Sequence, residues 1–214
     1  MEIFVNFKAY PESTGRNAES LIRKIEERFT DLSRIKIVLN PLDSMIQSKM
    51  EKFIQNAEPM EAGPFTGHIP IPLLKNYGYS GVMINHSEYK VALDRIDSEV
   101  RAARKNGLRS LVCASDVEEM KNIIPLHPDY IAYEPPELIG GNISVSTAKP
   151  DIISEAVQML KGTEIRLLVG AGIKNEADVR ISDDLGANGI LVASGVVKSS
   201  NPIGALEKMI NRDD

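Results

Sequence analysis

The chain is poor in features that mark several large classes of protein. It holds one cysteine, Cys113. An intramolecular disulfide and a cysteine-based zinc site are therefore excluded, and a reducing compartment is expected. No apolar run approaches the ~18 residues that a membrane span needs. The opening Met1-Glu2-Ile3-Phe4 has no charged region leading into an apolar core, so no signal peptide is read there. Basic runs are missing as well: 25 Lys and Arg stand against 30 Asp and Glu, a net charge of −5. Such a chain suits neither nucleic acid nor an anionic membrane. A phosphorylated ligand would have to be held by local backbone N–H groups and one or two lysines. No linker or low-complexity stretch divides the sequence. The expectation is one soluble, cytoplasmic domain over 1–214, and its 43% of hydrophobic residues are enough for a large core.

What is present is a rhythm. Short, largely apolar runs at 3–6, 35–39, 52–56, 81–84, 110–114, 130–133, 166–169 and 189–192 read as strands. Gly81-Val82-Met83-Ile84 and Gly189-Ile190-Leu191-Val192 are apolar throughout, as parallel strands covered on both faces should be. The run 52–56 is the weakest of the eight. Segments 18–29, 94–106, 152–160 and 179–185 carry helical periodicity; in the first, Leu21, Ile22, Ile25 and Phe29 share a stripe. Gly107, Gly162 and Gly186 follow helix ends, where a left-handed residue is common, and Pro202 suits a first helical turn. Strand and helix alternating about eight times imply a parallel sheet. Eight units in 214 residues average roughly 27 each, which fits a compact (β/α)8 barrel. The alternative is an open doubly wound sheet, weakened because no G-x-G-x-x-G follows the first run.

In a barrel of this kind the active site lies beyond the C-terminal ends of the strands. Ionisable residues and glycines gather at those places. Asn6-Phe7-Lys8 follows the first strand, and its alternation puts Asn6 and Lys8 on one side; the alternative is a solvated strand end. His86 follows the fourth within Asn85-His86-Ser87-Glu88. Ser87 is a candidate cap for a short helix whose N-terminus would keep the imidazole neutral. His68 and His127 lie in proline-rich stretches without such company. Glu134 closes the sixth strand, and a carboxylate at the mouth of an apolar strand is expected to have a raised pKa, as a general base needs. An ion pair with Lys8 is the competing role for it. Glu137 reads as a solvated loop residue. The segment 135–149 reads as a lid, with Pro135-Pro136 and Thr147-Ala148-Lys149 as hinges and Gly140-Gly141 as its tip. Gly170-Ala171-Gly172 and Ala193-Ser194-Gly195 end the last two strands, where such barrels commonly hold phosphate.

These stretches resemble the triosephosphate isomerase family, specifically its short archaeal branch. The resemblance is carried by Val5-Asn6-Phe7-Lys8, Phe65-Thr66-Gly67-His68, Ile84-Asn85-His86-Ser87-Glu88 and Tyr133-Glu134-Pro135-Pro136-Glu137-Leu138-Ile139-Gly140. Gly170-Ala171-Gly172-Ile173 and Leu191 to Lys198 extend it over nearly the whole chain. It implies the interconversion of dihydroxyacetone phosphate and glyceraldehyde 3-phosphate, in glycolysis and gluconeogenesis. By the same resemblance Glu134 is the proton acceptor, His86 the electrophile, and Lys8 the charge beside the substrate. Asn6 would hold substrate, Glu88 would pair with Lys8, and Ile139, Gly172, Ala193 and Ser194 would hold the phosphate. Phe65-Thr66-Gly67 matches the loop that reaches a partner subunit, which implies a homodimer at minimum and leaves a tetramer open. No metal or redox cofactor is called for, because no electrons leave the substrate. One departure stands out. The family's usual pattern has a basic residue soon after the Glu88 position, whereas here Tyr89 precedes Lys90, which puts the local ion pairing in question. The competing functions are another sugar-phosphate isomerase or epimerase on a phosphate-binding barrel, and a non-catalytic scaffold that binds phosphorylated metabolites.

Overall fold

The computed structural model describes residues 1–135, 148 and 150–211. Eight strands run in chain order: β1 (Glu2–Asn6), β2 (Ile35–Leu39), β3 (Glu51–Ile54), β4 (Tyr79–Ile84), β5 (Arg109–Ala114), β6 (Tyr130–Tyr133), β7 (Arg166–Val169) and β8 (Gly189–Val192). All neighbours pair in parallel, and β1 also pairs with β8, with Ile3 opposite Ile190 and Phe4 opposite Leu191. The sheet therefore closes on itself. The (β/α)8 expectation is met, and the open doubly wound sheet, which needs two free edges, is excluded.

Closure gives every strand two buried faces. Phe4, Val38, Phe53, Met83, Leu111, Cys113, Tyr130, Ala132, Leu168 and Leu191 form the inner core. Within it Phe4 meets Phe53 and Tyr130 edge-on, with centroids 5.2 and 5.0 Å apart. Their neighbours in sequence, such as Ile3, Val5, Ile35, Ile37 and Val112, pack outward against the helices. The N-terminal end of the barrel is filled by ions. Lys36, 2% exposed, pairs with Glu2 at 2.9 Å, and Glu2 also meets Arg166 at 2.9 Å. The opposite end is left for the site. Two-residue stepping decides what arrives there. One step beyond Phe4, Met83, Ala132, Leu168 and Leu191 come Asn6, Asn85, Glu134, Gly170 and Ala193.

The helices among the described residues are α1 (Arg16–Arg28), α2 (Leu93–Lys105), α3 (Val117–Ile123), α4 (Pro150–Met159), α5 (Glu176–Asp184), α6 (Ser194–Val197) and α7 (Pro202–Ile210). The four helices expected from periodicity are present, each shifted by no more than a turn. Gly107, Gly162 and Gly186 take φ of 63°, 82° and 92°. Pro202 opens α7, and the Asn201 side chain accepts from the Gly204 N–H at 3.0 Å. The alternation of strand and helix is incomplete, however. Between β2 and β4 the crossovers hold only 3-10 turns, Pro41–Asp43 and Ile71–Tyr77. Pro41 and Pro72 stand in the first turns of these 3-10 segments, and Pro70 precedes the second. None of the described helices is long and apolar enough to cross a membrane.

Strand β3 ends at Ile54 rather than at 56. Its faint signal has a physical cause in Lys52, an outward-facing yet fully buried cation. The Lys52 ammonium donates to the carbonyls of Ile46 at 2.8 Å and Tyr77 at 2.6 Å, and burial lowers its pKa. The lid expected over 135–149, including Glu137, Ile139, Gly140 and Gly141, lies outside the described residues apart from Pro135 and Ala148.

Candidate active site

A cavity of about 180 Å³ opens at the C-terminal end of the barrel. Asn6, Lys8, Glu88 and Glu134 line it on one side, and Gly172, Ala193 and Ser194 on the other. Every described residue that the resemblance assigns to catalysis or to substrate lies here or, like His86, touches one that does.

The first strand supplies two groups by different means. Asn6 is buried at the end of β1. Lys8 is turned back by a left-handed backbone, φ 50°, which a non-glycine residue adopts only when something holds it. The holder is Asn6, whose Oδ1 accepts from the Lys8 N–H at 3.0 Å and from Gln55 Nε2 at 3.1 Å. Gln55 also donates to the Lys8 carbonyl at 3.2 Å. Phe7 between them packs into the outer core. The solvated strand end is thereby set aside. The Lys8 ammonium points along the mouth to Glu88, 2.7 Å away.

His86 stands in a turn closed by the Tyr89 N–H on the His86 carbonyl at 2.7 Å. The expected short helix capped by Ser87 is not formed; α2 begins only at Leu93. What fixes the ring is the backbone of that turn. The Glu88 N–H donates to His86 Nδ1 at 3.1 Å. A nitrogen that accepts carries no proton, so in the neutral ring the proton sits on Nε2. Asn85, in a left-handed conformation at φ 61°, anchors the turn by donating to the Cys113 carbonyl at 2.9 Å and to Glu119 at 2.7 Å. Glu119 accepts in turn from Lys90 at 2.6 Å. Lys90 thus supplies ion pairing next to the site although Tyr89 occupies the position directly after Glu88.

Glu134 meets His86 across the mouth, Oε2 to Nε2, at 3.6 Å. It is 4% exposed, and its Oε2 has no hydrogen-bond partner among the described residues. Burial lifts the carboxyl above the ordinary glutamate range, partly offset by His86, the Cys113 thiol and Lys8. The direct ion pair of Lys8 is with Glu88, so the competing role for Glu134 does not apply. The same proximity works on the thiol, since burial and then Glu134 push Cys113 upward.

Room for this carboxylate comes from Gly170. A Cβ there would lie 2.5 Å from Glu134 Cγ and 2.9 Å from Oε1, far inside contact distance. Gly170→Ala should therefore displace the carboxylate and lower kcat by up to ~10²-fold in a folded protein. Steady-state kinetics with circular dichroism checks this; an unaltered kcat would show that Glu134 does not need the space.

The far end of the cavity is built by two loops pressed together. At Gly195 a Cβ would stand 2.8 Å from the Ile173 carbonyl oxygen and 3.1 Å from Lys174 Cα, so a side chain there would wedge the loops apart. Ser194 opens α6 directly behind Ala193. Three contributors were not read from the sequence: Gln55, Cys113 and Tyr10. For the first two the signal was available, because each lies one two-residue step beyond an inner-core residue.

Fold and site together define a class: a (β/α)8-barrel enzyme whose mouth sets a buried carboxylate against an imidazole beside small-residue loops suited to an anion. The family model described as triosephosphate isomerase matches residues 1–212. The triosephosphate isomerase of Thermoplasma volcanium is 43% identical over 97% of this chain and 98% of its own length. That of Methanosarcina mazei is 38% identical over 97% and 96%. A crystal structure of triosephosphate isomerase from Bartonella henselae matches with a TM-score of 0.73 over 98% of both chains; at 23% identity it speaks to the fold alone. The chain belongs to the triosephosphate isomerase family.

Proposed function

We propose that Glu134 and His86 carry the reaction of this isomerase, the interconversion of dihydroxyacetone phosphate and D-glyceraldehyde 3-phosphate through an enediolate. Glu134 takes a proton from the carbon next to the carbonyl. His86 donates from Nε2 to the carbonyl oxygen as it gains charge, and Glu134 returns the proton to the adjacent carbon. A buried glutamate raised above its ordinary range, facing the Nε2 side of an imidazole, is the arrangement for which triosephosphate isomerase is the familiar case. Lys8 supplies positive charge to the developing oxyanion, Asn6 keeps Lys8 in place, and Glu88 orients it. Backbone N–H groups of Gly172, Ala193 and Ser194 are suited to the phosphate, with Ile139 as the remaining candidate. No electrons leave the substrate, so N–H donors suffice to polarise its carbonyl.

The observation that supports this reading most is the 3.6 Å approach of a buried carboxylate to an imidazole whose other nitrogen accepts a backbone N–H. A positioned base and acid give typically ~10²–10⁴-fold each, and aimed donors another ~10²–10³-fold. Binding of the phosphate, away from the reacting carbons, supplies the rest through positioning. A coupled assay on the purified chain tests it. Turnover of glyceraldehyde 3-phosphate is expected. None at micromolar enzyme would overturn the reading, and preferential turnover of another sugar phosphate would favour a different isomerase.

A homodimer at minimum fits the surface around the mouth. Leu42, Met45 and Tyr89 are 88%, 72% and 53% exposed, and residues 61–68, with Phe65 at 41%, stand out from the body throughout. Where such side chains form one contiguous apolar patch, they mark a protein–protein surface. Light scattering reads the outcome directly, and a monomeric mass at micromolar concentration would remove the dimer. The cytoplasm is the compartment that a single buried thiol and central sugar metabolism fit.

A further inference from the structure

The loop after β1 brings one more residue to the cavity, which neither the proton transfer nor the phosphate cradle uses. Tyr10 is half-buried, lines the same cavity as Lys8 and Ser194, and packs against the outer core. Its backbone is braced. The Tyr10 carbonyl accepts from the Ser13 N–H at 3.0 Å and from the Thr14 hydroxyl at 3.0 Å. The Ser13 hydroxyl donates to the Phe7 carbonyl, and the Gly15 N–H donates to Asp43 at 2.8 Å. The ring is held too, with Lys198 Nζ 4.9 Å from its centroid. That is cation–π range. Lys198 follows α6, the helix that Ser194 opens, so this contact ties Tyr10 to the phosphate end of the cavity.

Both ends of a substrate are fixed by the chemistry. The carbonyl carbon must stay between Glu134 and His86, and the phosphate must stay against Gly172, Ala193 and Ser194. The space between is small, about 180 Å³ against the ~300–1,000 Å³ of pockets for larger ligands. A sugar phosphate with one more carbon between carbonyl and phosphate has to push its phosphate outward. On the β1 side the cavity is lined by Asn6, Lys8 and Tyr10, and of these Tyr10 carries the bulky ring.

From this we infer that Tyr10, clamped by Lys198, is a specificity-determining residue that restricts the isomerase to three-carbon phosphates. The inference rests on the proposed reaction, and the test separates the two. Wild-type turnover of glyceraldehyde 3-phosphate tests the reaction. The ratio of kcat/KM for D-erythrose 4-phosphate to that for glyceraldehyde 3-phosphate tests Tyr10, with competitive inhibition by the tetrose used where its turnover is undetectable. Tyr10→Ala should raise the ratio by about 10-fold or more, the discrimination that one methylene typically carries. Tyr10→Phe should keep the wild-type ratio, because the ring and not the hydroxyl forms the wall. Tyr10→Leu, which preserves the apolar contact beneath, carries the same expectation as alanine if the alanine variant does not fold. A purely structural role would depress both substrates together. An unmoved ratio in a folded alanine or leucine variant, or an equal rise in Tyr10→Phe, would overturn the inference.

Discussion

Glu134→Ala should lower kcat by roughly 10²–10⁴-fold, the usual worth of a positioned general base, with far smaller change in KM. The side chain is buried at the mouth, with no hydrogen bond to its Oε2 among the described residues. Its removal takes away a proton acceptor rather than a structural strut. Near-normal turnover of the alanine variant would take the base assignment away from Glu134. Glu134→Gln adds a second reading. Burial raises the folded-state pKa of this carboxyl above its unfolded value, so the ionised form opposes folding. That penalty is absent well below ~4.3, where both states are protonated, and is complete once the pH has risen through the folded value. Glu134→Gln should therefore melt above the wild type at neutral pH, by about 2–4 °C for each kcal/mol relieved, and the gain should shrink on acidification. Calorimetry across that range measures it; a gain independent of pH would mean that the carboxylate charge is not what opposes folding.

His86→Ala is expected to cost kcat roughly 10²–10³-fold, as loss of a single oxyanion donor does, while binding of a phosphate-bearing analogue survives. The argument lies in the hydrogen bond behind the ring. With Nδ1 occupied by the Glu88 N–H at 3.1 Å, the only proton of the neutral imidazole is the one on Nε2, facing Glu134 and the substrate. His86→Gln, whose amide can accept from Glu88 and still offer a donor, should retain more activity than alanine. A loss confined to KM would contradict the electrophile role.

How much of this was legible beforehand differs from part to part. The end of β4, Gly81 to Ile84, and the whole of β8 announce themselves because a closed parallel sheet buries both faces, which leaves an apolar run in the sequence. β3 was faint because Lys52 is satisfied by carbonyls from 46 and 77, positions that only the fold brings to it. Nothing in the sequence distinguishes such a buried cation from a solvated one. The turn at Ser87 shows the same limit. A helix cap is a local signal, but the His86 ring is held by the Glu88 backbone, and Asn85, which reaches Cys113 and Glu119 on β5 and α3, anchors the turn.

The residue types of the site, their order and their places after strands belong to the sequence, because two-residue stepping along an apolar strand forces the next inward position to the barrel mouth. Three matters belong to the tertiary structure alone. They are the 3.6 Å meeting of Glu134 and His86, the space that Gly170 leaves beside that carboxylate, and the clamp of Lys198 on Tyr10. Each joins segments far apart in the chain. Such contacts depend on which strands become neighbours when the sheet closes, and no local pattern of residues encodes that distance.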